Sequence, residues 1–276
     1  MDTEALPVPP LRLLDSLGSA RAPLVIDVRR RQAFDADPRL VAGATWRDPF
    51  DLDAWVRYLP RHRPVVVYCV HGHEVSRNAG AALRAAGIEA HVLEGGLEAW
   101  QAAGGPTVTA RSDPAIPSAP GAPSTWVTRE RPKIDRIACP WLVRRFIDPL
   151  ARFEYVPESA VLAHAQATGA IAYDIPGVAF THRGERCSFD ALVEDFGLSH
   201  PALDRLATIV RGADTGRPDL APESAGLLAM SMGLGRLIPG DNDLLERAML
   251  LYDALYASCR GAVAGERDVH TWNYPS

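Results

Sequence analysis

The stretch VVVYCVHGHEVSRNAGAAL, residues 65–83, decides the fold of the first half of this chain. It opens with a short β-branched apolar run, continues through Cys69 into a polar loop, and ends in an alanine-rich segment that stops at Gly87. The apolar run is typical of a strand buried on both faces, and the alanine-rich segment predicts a helix. We therefore expect Cys69 at the point where a buried strand leads into a helix.

Similar patterns lie on either side of this stretch. APLVIDV (22–28) and IEAHVLEGG (88–96) predict further strands, and LEAWQAAGG (97–105) predicts a short helix. Strands that alternate with helices predict an α/β domain with an open, mostly parallel sheet and helices on both faces. In such sheets the chemistry lies at the carboxyl ends of the strands, where Cys69 is expected.

Cys69 has the sequence surroundings of a reactive thiol. Backbone N–H groups in a loop that leads into a helix N-terminus stabilise a thiolate or a bound anion. Gly72 lets the loop turn tightly, and His71 and His73 can donate hydrogen bonds to a persulfide or an incoming oxyanion. These residues taken alone fit a buried structural cysteine equally well.

Four landmarks around this loop occur in the order found in the rhodanese family: VIDVRRRQAF (25–34), VAGATW (41–46), YCVHGHEVS (68–76) and LEGGLEAWQAAGGP (93–106). The region of about residues 10–106 therefore resembles a rhodanese-like sulfurtransferase domain. The resemblance implies that Cys69 is the catalytic nucleophile and that no cofactor is needed. It implies that Asp27 and Arg29 support the Cys69 loop, with Arg29 as an ordinary surface charge as the alternative. The substrate-binding loop would be formed by Val70, His71, Gly72, His73, Glu74, Val75 and Ser76.

The implied reaction is attack of the Cys69 thiolate on a small sulfur donor such as thiosulfate, followed by sulfur transfer to a thiol or to cyanide. The loop departs from the usual family pattern because Ser76 stands seven residues after Cys69, where short rhodaneses have six. Related domains with longer loops are phosphatases or arsenate reductases. The phosphatase pattern needs an arginine where this chain has Val75, so phosphatase activity is not expected, whereas oxyanion reduction stays an alternative.

A proline-rich segment, TVTARSDPAIPSAPGAPS (107–124), divides the chain into a first domain at 1–106 and a second at 125–276, each expected to have its own core. The second domain is predicted to be a helix-rich α+β domain. Amphipathic helices are predicted at 135–148, 202–214 and 242–259, and AIAYDIPGVAFTH (170–182) predicts a strand, a turn and a second strand.

Three motifs in this second half, RPKIDRIACPWLVRRFID (131–148), YDIPGVAFTHRGERCSFDALVEDFGL (173–198) and LATIVRGADTG (206–216), resemble the carboxy-terminal domain of ChrB-type chromate-resistance proteins. The resemblance implies a link to chromate or oxidative stress. ChrB-type proteins usually carry a different amino-terminal region, associated with chromate-responsive regulation. The rhodanese-like region in its place puts a transcriptional role in question.

Two groups of residues in the second domain are candidate sites. Arg131, Lys133 and Arg136 surround a predicted helix start and could hold a tetrahedral oxyanion; the alternative is a solvated, salt-bridged helix face. His182, Cys187 and Asp214 offer nitrogen, sulfur and oxygen donors that suit zinc or iron. The alternative is that His182 is an ordinary hydrogen-bonding loop residue.

Composition narrows the function classes. The chain has 276 residues, 47% of them hydrophobic, and a net charge of −5, which argues against a general nucleic-acid binder. It lacks an apolar run of membrane-spanning length, and its first residues, MDTEALPVPPLRLLD, lack the pattern of a signal peptide. Four separate cysteines without a CxxC motif are typical of reduced thiols in the cytoplasm.

The sequence thus predicts a cytoplasmic sulfurtransferase fused to a chromate-resistance domain, acting in the response to chromate or to thiol oxidation. Its expected partners are a small-molecule sulfur donor and a thiol acceptor, with chromate as a ligand and without nucleic acid or membrane. Two alternatives stay open. One is a chromate-responsive sensor or regulator in which Cys69 does not turn over, and the other is a chromate or arsenate reductase.

Overall fold

The structure is a computed structural model that describes residues 7–109 and 123–266. The strands of its first part are β1 (Leu24–Asp27), β2 (Arg39–Val41), β3 (Ala44–Trp46), β4 (Val65–Tyr68), β5 (Ala90–Val92) and β6 (Thr107–Thr109). The helices of this part are α1 (Pro10–Ser16), α2 (Arg31–Ala36), α3 (Leu52–Val56), α4 (Glu74–Ala85) and α5 (Gly96–Ala102).

Four of these strands form a parallel sheet in the order β3-β1-β4-β5. Side chains in the two central strands alternate between its faces because successive residues of a strand point in opposite directions. Val25 and Val66 pack with α1 and α5 on one face, while Ile26 and Val67 pack with α3 and α4 on the other. Helices cover both faces, which confirms the predicted fold of the first domain.

The second part is mainly helical. Its strands are β7 (Thr125–Arg129), β8 (Arg152–Val156) and β9 (Ile171–Ala172), in a parallel sheet ordered β8-β7-β9. Its helices are α6 (Asp135–Leu142), α7 (Val161–Thr168), α8 (Ser188–Asp195), α9 (Pro201–Asp214), α10 (Ser224–Leu237) and α11 (Asp241–Ala264). A wide helical turn at Val143–Ile147 and 3₁₀ turns at Glu158–Ala160 and Pro218–Leu220 complete it. The prediction of a helix-rich second domain with a small sheet is confirmed.

The segment 170–182 differs from the predicted strand, turn and strand. Only Ile171–Ala172 forms a strand, and a single bridge between Tyr173 and Phe180 follows it. The backbone turns at Asp174, which has a positive φ of 52°, and its N–H donates to the carbonyl of Phe180 at 2.8 Å. This turn replaces the second strand with a loop that leads to His182.

The predicted linker, residues 107–124, also differs where the structure describes it. Thr107–Thr109 form strand β6, which pairs antiparallel with Arg39–Val41. The Pro106 carbonyl, just before β6, accepts hydrogen bonds from the Trp100 indole and the Ala42 N–H, both at 3.0 Å. The ordered first part therefore continues to Thr109, and residues 110–122 of the linker lie outside the described residues.

One apolar cluster spans both parts, which we did not expect, although each part also has a smaller cluster of its own. Buried residues of α1, β1 and α5 belong to the same cluster as buried residues of α6, α9 and α11. Backbone hydrogen bonds join the two parts directly, from the Gly43 N–H to the Phe146 carbonyl at 2.6 Å and from the Thr109 N–H to the Phe196 carbonyl at 3.1 Å. The proline-rich segment thus separates two sequence regions that pack against each other.

None of the described helices combines the length and the apolar character that crossing a bilayer requires.

Candidate functional site

Cys69 lies immediately after β4, at the carboxyl end of the parallel sheet, as the sequence predicted. The residue is 8% exposed, and its Sγ is 3.3 Å from the Ser76 Oγ in the first turn of α4. The Ser76 hydroxyl is also within 3.1 Å of the His73 carbonyl. The thiol therefore sits in a loop that closes on itself, with a hydroxyl beside the sulfur.

The loop favours the thiolate form of Cys69. Burial opposes ionisation, but hydrogen bonds from the Ser76 hydroxyl and from the backbone N–H groups of Ser76, His73 and His71 outweigh it and hold the pKa of Cys69 below its usual value. Burial is the main influence on Cys259 and raises its pKa to about 11. Burial likewise raises the pKa of Cys139. Cys69 is accordingly the thiol best suited to act as a nucleophile.

Gly72 is required for the shape of this loop. Its φ is +70°, and a Cβ at this position would lie 2.8 Å from the Leu93 carbonyl oxygen and 2.9 Å from the Gly95 nitrogen. A side chain would therefore be strained and would also push the loop away from the β5–α5 turn. This agrees with the role that the sequence analysis expected for Gly72.

The Gly95–Gly96 turn braces the Cys69 loop, a role that the sequence analysis did not assign to it. A Cβ on Gly96, where φ is +61°, would overlap the Cys69 carbonyl oxygen. The first free amides of α5 then bind the loop, from Leu97 N–H to the Cys69 carbonyl at 3.0 Å and from Glu98 N–H to the Val70 carbonyl at 3.2 Å. The adjacent glycines in the sequence were the available signal for such a close backbone approach.

Gly96→Ala is expected to slow the alkylation of Cys69 by about tenfold, because the new methyl group displaces the backbone that carries this thiol. Gly104→Ala is the matched control, since Gly104 has a similar φ of +73° but no neighbouring atom within 4 Å of the place that a Cβ would occupy. It should keep the alkylation rate within about twofold and show only the cost of left-handed backbone, about 1–2 kcal/mol. Equal losses of Cys69 reactivity in the two variants would contradict the bracing role.

The remaining loop residues form the rim of the site. His71, His73 and Glu74 are exposed, while Val70 and Val75 are partly buried. The His71 and His73 rings are 5.8 Å apart, and the His71 Nδ1 is 3.1 Å from a Glu98 carboxylate oxygen. Both imidazoles thus lie exposed at the opening of the Cys69 loop.

Asp27 and Arg29 form a buried ion pair at the end of β1. Both are buried, at 0% and 1% exposure, and their side chains are 2.6 Å apart, so Arg29 is not a surface charge. The Arg29 guanidinium also donates to the carbonyls of Asp37 and Arg39 at 2.8 and 2.9 Å. This pair holds the segment after α2 against the end of β1. It thereby shapes the carboxyl end of the sheet, where Cys69 also lies.

A second group of polar side chains surrounds His182. Its Nε2 is 3.1 Å from an Asp214 carboxylate oxygen, 3.4 Å from one of Asp174 and 3.6 Å from one of Asp135. The donor atoms of Asp135, His182 and Asp214 all lie within 4.8 Å of one another. Two of the three predicted metal ligands, His182 and Asp214, are therefore brought together.

Cys187, the third predicted ligand, is not part of this group. It is fully buried at the start of α8, where its N–H donates to Asp190 at 3.0 Å. Burial, and then the nearby Asp135 carboxylate, raise the pKa of Cys187 and keep it a neutral thiol. The carboxylates of Asp135 and Asp174 lie near His182 instead. The sequence analysis missed both residues because they come from distant segments of the chain.

Each of these carboxylates is held by other groups. Asp135 accepts hydrogen bonds from the N–H groups of Ser188 and Phe189 at 2.6 and 3.0 Å, and Asp174 accepts one from the Ser188 hydroxyl at 2.8 Å. Burial, and then the Asp214 and Asp174 charges, raise the pKa of Asp135. Burial, and then Asp174, raise the pKa of Asp214, against the opposing effect of His182. The cluster thus concentrates negative charge in a region that water reaches poorly.

The predicted oxyanion cluster does not converge on one point. Arg136 turns toward the carboxylates, with its Nε 3.3 Å from Asp174 and its Nη1 2.9 Å from the Glu130 carbonyl. Arg131 and Lys133 are exposed, and the Arg131 N–H donates to the Asp241 carboxylate at 3.2 Å. Of the three predicted residues, Arg136 alone reaches the carboxylate cluster, where it balances negative charge.

Matches with known proteins divide the chain at the same place. Residues 11–103 match the family model for the rhodanese-like domain, and residues 126–259 match that for the C-terminal domain of ChrB. Protein ChrB of Cupriavidus metallidurans is 36% identical over 132 residues, which are 48% of this chain and 39% of that protein. The match therefore spans about two fifths of the length of this curated relative.

Two solved structures are similar to a part of the chain. A full-length protein from Lactobacillus plantarum is 27% identical, with a TM-score of 0.35, and the match covers 38% of this chain and 88% of that one. The thiosulfate sulfurtransferase from Pseudomonas aeruginosa is 28% identical, with a TM-score of 0.34, and the match covers 42% of this chain and 21% of that one.

Proposed function

The chain joins a rhodanese-like domain at residues 11–103 to a ChrB C-terminal domain at residues 126–259, and from this premise we propose that it is a sulfurtransferase with a function in chromate resistance. The observation that supports this most directly is the environment of Cys69. Its thiol lies in a loop whose amides and the Ser76 hydroxyl lower its pKa. A stabilised thiolate at the carboxyl end of a parallel sheet can attack a sulfur donor, which is the first step of sulfur transfer.

The proposed reaction has two steps. The Cys69 thiolate attacks the outer sulfur of thiosulfate, the sulfur–sulfur bond of thiosulfate breaks, and sulfite leaves with its electron pair. The product is a persulfide anion on Cys69. A thiol or cyanide then attacks the outer sulfur of this persulfide, and the Cys69 thiolate is released for the next cycle.

The loop residues have a role in each step. The N–H groups of His71, His73 and Ser76 face Cys69 and stabilise its thiolate, and the same amides can bind the charged persulfide. His71 and His73 are exposed at the entrance, where their ring nitrogens can bind an oxygen of thiosulfate or of the departing sulfite. The sulfur donor is thus a small anion, and the acceptor is a thiol in the cytoplasm.

Mass spectrometry of the thiosulfate-treated full chain tests this proposal. We expect the peptide that contains Cys69 to gain the mass of one sulfur atom, and added cyanide to remove it as thiocyanate. Chromate and arsenate reduction are assayed in parallel. Reduction without sulfur transfer would favour the reductase alternative, and chromate binding without either reaction would favour a sensor.

Ser76→Ala is expected to raise the pKa of Cys69, because it removes the hydroxyl that lies 3.3 Å from the sulfur and whose hydrogen bond with it lowers that pKa. The alkylation rate of Cys69 rises with pH as the thiol ionises, and the midpoint of this rise should lie at a higher pH than in the unmodified protein. Ser258→Ala, at an exposed position on α11, is the control and should leave the pH profile unchanged. A profile that moves to lower pH in Ser76→Ala would show that this hydroxyl does not stabilise the thiolate.

A further inference from the structure

We propose that Asp135, His182 and Asp214 form a binding site for one divalent first-row transition-metal ion, Mn²⁺, Fe²⁺ or Zn²⁺, in the second domain, and that Asp174 lies beside this site as a further carboxylate. These four residues come from separate segments: the start of α6, the turn after β9, the loop that follows it, and the end of α9. This site is independent of the sulfur chemistry at Cys69.

The spacing of the donor atoms favours a shared ion over direct hydrogen bonds. The His182 Nε2 is 3.1, 3.4 and 3.6 Å from three different carboxylates. These distances exceed the value of about 2.7–2.9 Å that is typical of a charge-assisted hydrogen bond. Donors that bind one ion at about 2.0–2.2 Å stand about 2.8–3.6 Å apart in octahedral or tetrahedral geometry, which matches the distances from His182 to Asp214 and to Asp135.

The charges also suit a divalent cation. Asp135 is fully buried and Asp174 is 5% exposed, so their charges are poorly hydrated. The Arg136 Nε and the Arg129 Nη2 are 3.3 and 3.6 Å from Asp174, so the charge of this carboxylate is balanced by arginines. The ion-pair contacts that the described residues give to Asp135 and Asp214 come from His182. Two carboxylates therefore remain to balance a doubly charged ion, whose binding would displace any proton that they carry.

The ligands are held in place before an ion binds. Two amides at the start of α8 orient Asp135, and the Ser188 hydroxyl with Arg136 orients Asp174. The His182 ring makes its contacts with these carboxylates, and 42% of its side chain is exposed. An ion can therefore enter from the exposed side of His182, and the buried carboxylates are already held in position to bind it.

The donor set identifies the class of metal. Two carboxylates and one imidazole are hard and borderline ligands, which suit Mn²⁺, Fe²⁺ or Zn²⁺ more than a soft ion such as Cu⁺. The thiol of Cys187 is neutral and lies outside the group, so the soft ligand that the sequence predicted is absent from it. The exposed side of His182 leaves a position open for water or for an oxygen ligand.

Metal binding to the purified full chain tests the proposal. The protein is stripped with a chelator and titrated by calorimetry with Mn²⁺ alone and with Zn²⁺ alone, and its ion content is then measured by mass spectrometry. We expect one ion per chain and a higher thermal midpoint in its presence. His182→Ala and Asp214→Asn should each weaken binding by about 100-fold or more, since each removes a direct ligand.

Matched variants separate ligand loss from other effects. His164→Ala and Asp219→Asn remove the same residue types at exposed ion pairs elsewhere in this domain and should bind the metal normally. Asp214→Asn conserves side-chain volume, so circular dichroism should show a folded protein that has lost the ion. Cys69→Ser should also bind normally, and loss of binding in this variant would place the ion elsewhere and overturn the proposal.

A different outcome would also overturn it. If neither Mn²⁺ nor Zn²⁺ binds the unmodified chain, and NMR titration shows that His182 stays protonated at neutral pH, then the imidazolium is itself the counter-ion of the carboxylates. Equal metal affinity in the unmodified chain and in Asp214→Asn would also overturn the proposal.

Discussion

Cys69→Ser is expected to lower thiosulfate sulfurtransferase activity by about 10³-fold or more, because the variant lacks the atom that attacks and carries the sulfur. Ser76 and the loop amides would still surround the position, since the hydroxyl of serine is smaller than the thiol that it replaces. The variant should therefore fold normally. Thiocyanate formation from thiosulfate and cyanide measures the loss.

Cys259→Ser is the matched control for this substitution. Cys259 is buried in α11, and burial raises its pKa to about 11, so it is a neutral thiol that takes no part in transfer. Its variant should keep activity within about twofold when it is folded. If Cys69→Ser retained most of the activity, another nucleophile would be responsible. If the unmodified chain bound chromate but showed no turnover, and Cys69→Ser bound it equally well, the sensor alternative would be favoured.

Tyr256→Ala is expected to destabilise the protein by about 3–5 kcal/mol, the usual cost of emptying a buried aromatic position. Tyr256 is 1% exposed, and its ring lies 5.6 Å from that of Trp141 and 5.2 Å from that of Phe146. The ring also packs on Gly18, where a Cβ would overlap it. The loss would therefore weaken both parts of the chain together, and chemical denaturation measures it.

Two further variants make this prediction specific. The Tyr256 hydroxyl is buried without a hydrogen-bond partner among the described residues, so Tyr256→Phe should change the free energy of unfolding by only about 1 kcal/mol or less. Tyr58→Ala, at a residue that is 48% exposed, should cost about 1 kcal/mol or less. Two separate unfolding transitions in the unmodified protein would show that the shared core does not couple the parts.

Local patterns were sufficient for three strands of the parallel sheet in the first domain, although they did not predict β2, β3 and β6. The β-branched run at 65–68 and the alanine-rich segment after Gly72 predicted a strand and a helix with Cys69 between them, and the structure has β4 and α4 there. This worked because a parallel sheet buries both faces of its strands, so each strand is marked by continuous apolar residues. The resemblance to known families, carried by motifs along the chain, is likewise confirmed.

The site around His182 was predicted only in part. His182 and Asp214 stood out as ligand types, but Cys187 was chosen because it is near His182 in the sequence. In the fold, Cys187 turns inward at the start of α8, whereas Asp135 and Asp174 reach His182 from other segments. Similarly, Arg131, Lys133 and Arg136 are close in sequence, but a backbone turn with positive φ at Arg131 and Ile134 separates their directions.

The sequence by itself determined the two fold classes and the position of Cys69 at a strand end, because these depend on periodicity and composition within short segments. The tertiary structure alone decided which carboxylates meet at His182, that Gly95–Gly96 braces the Cys69 loop, and that one apolar cluster spans both parts. These features depend on contacts between residues that are far apart in the chain. Such contacts leave no local pattern, because only packing of the whole molecule brings the residues together.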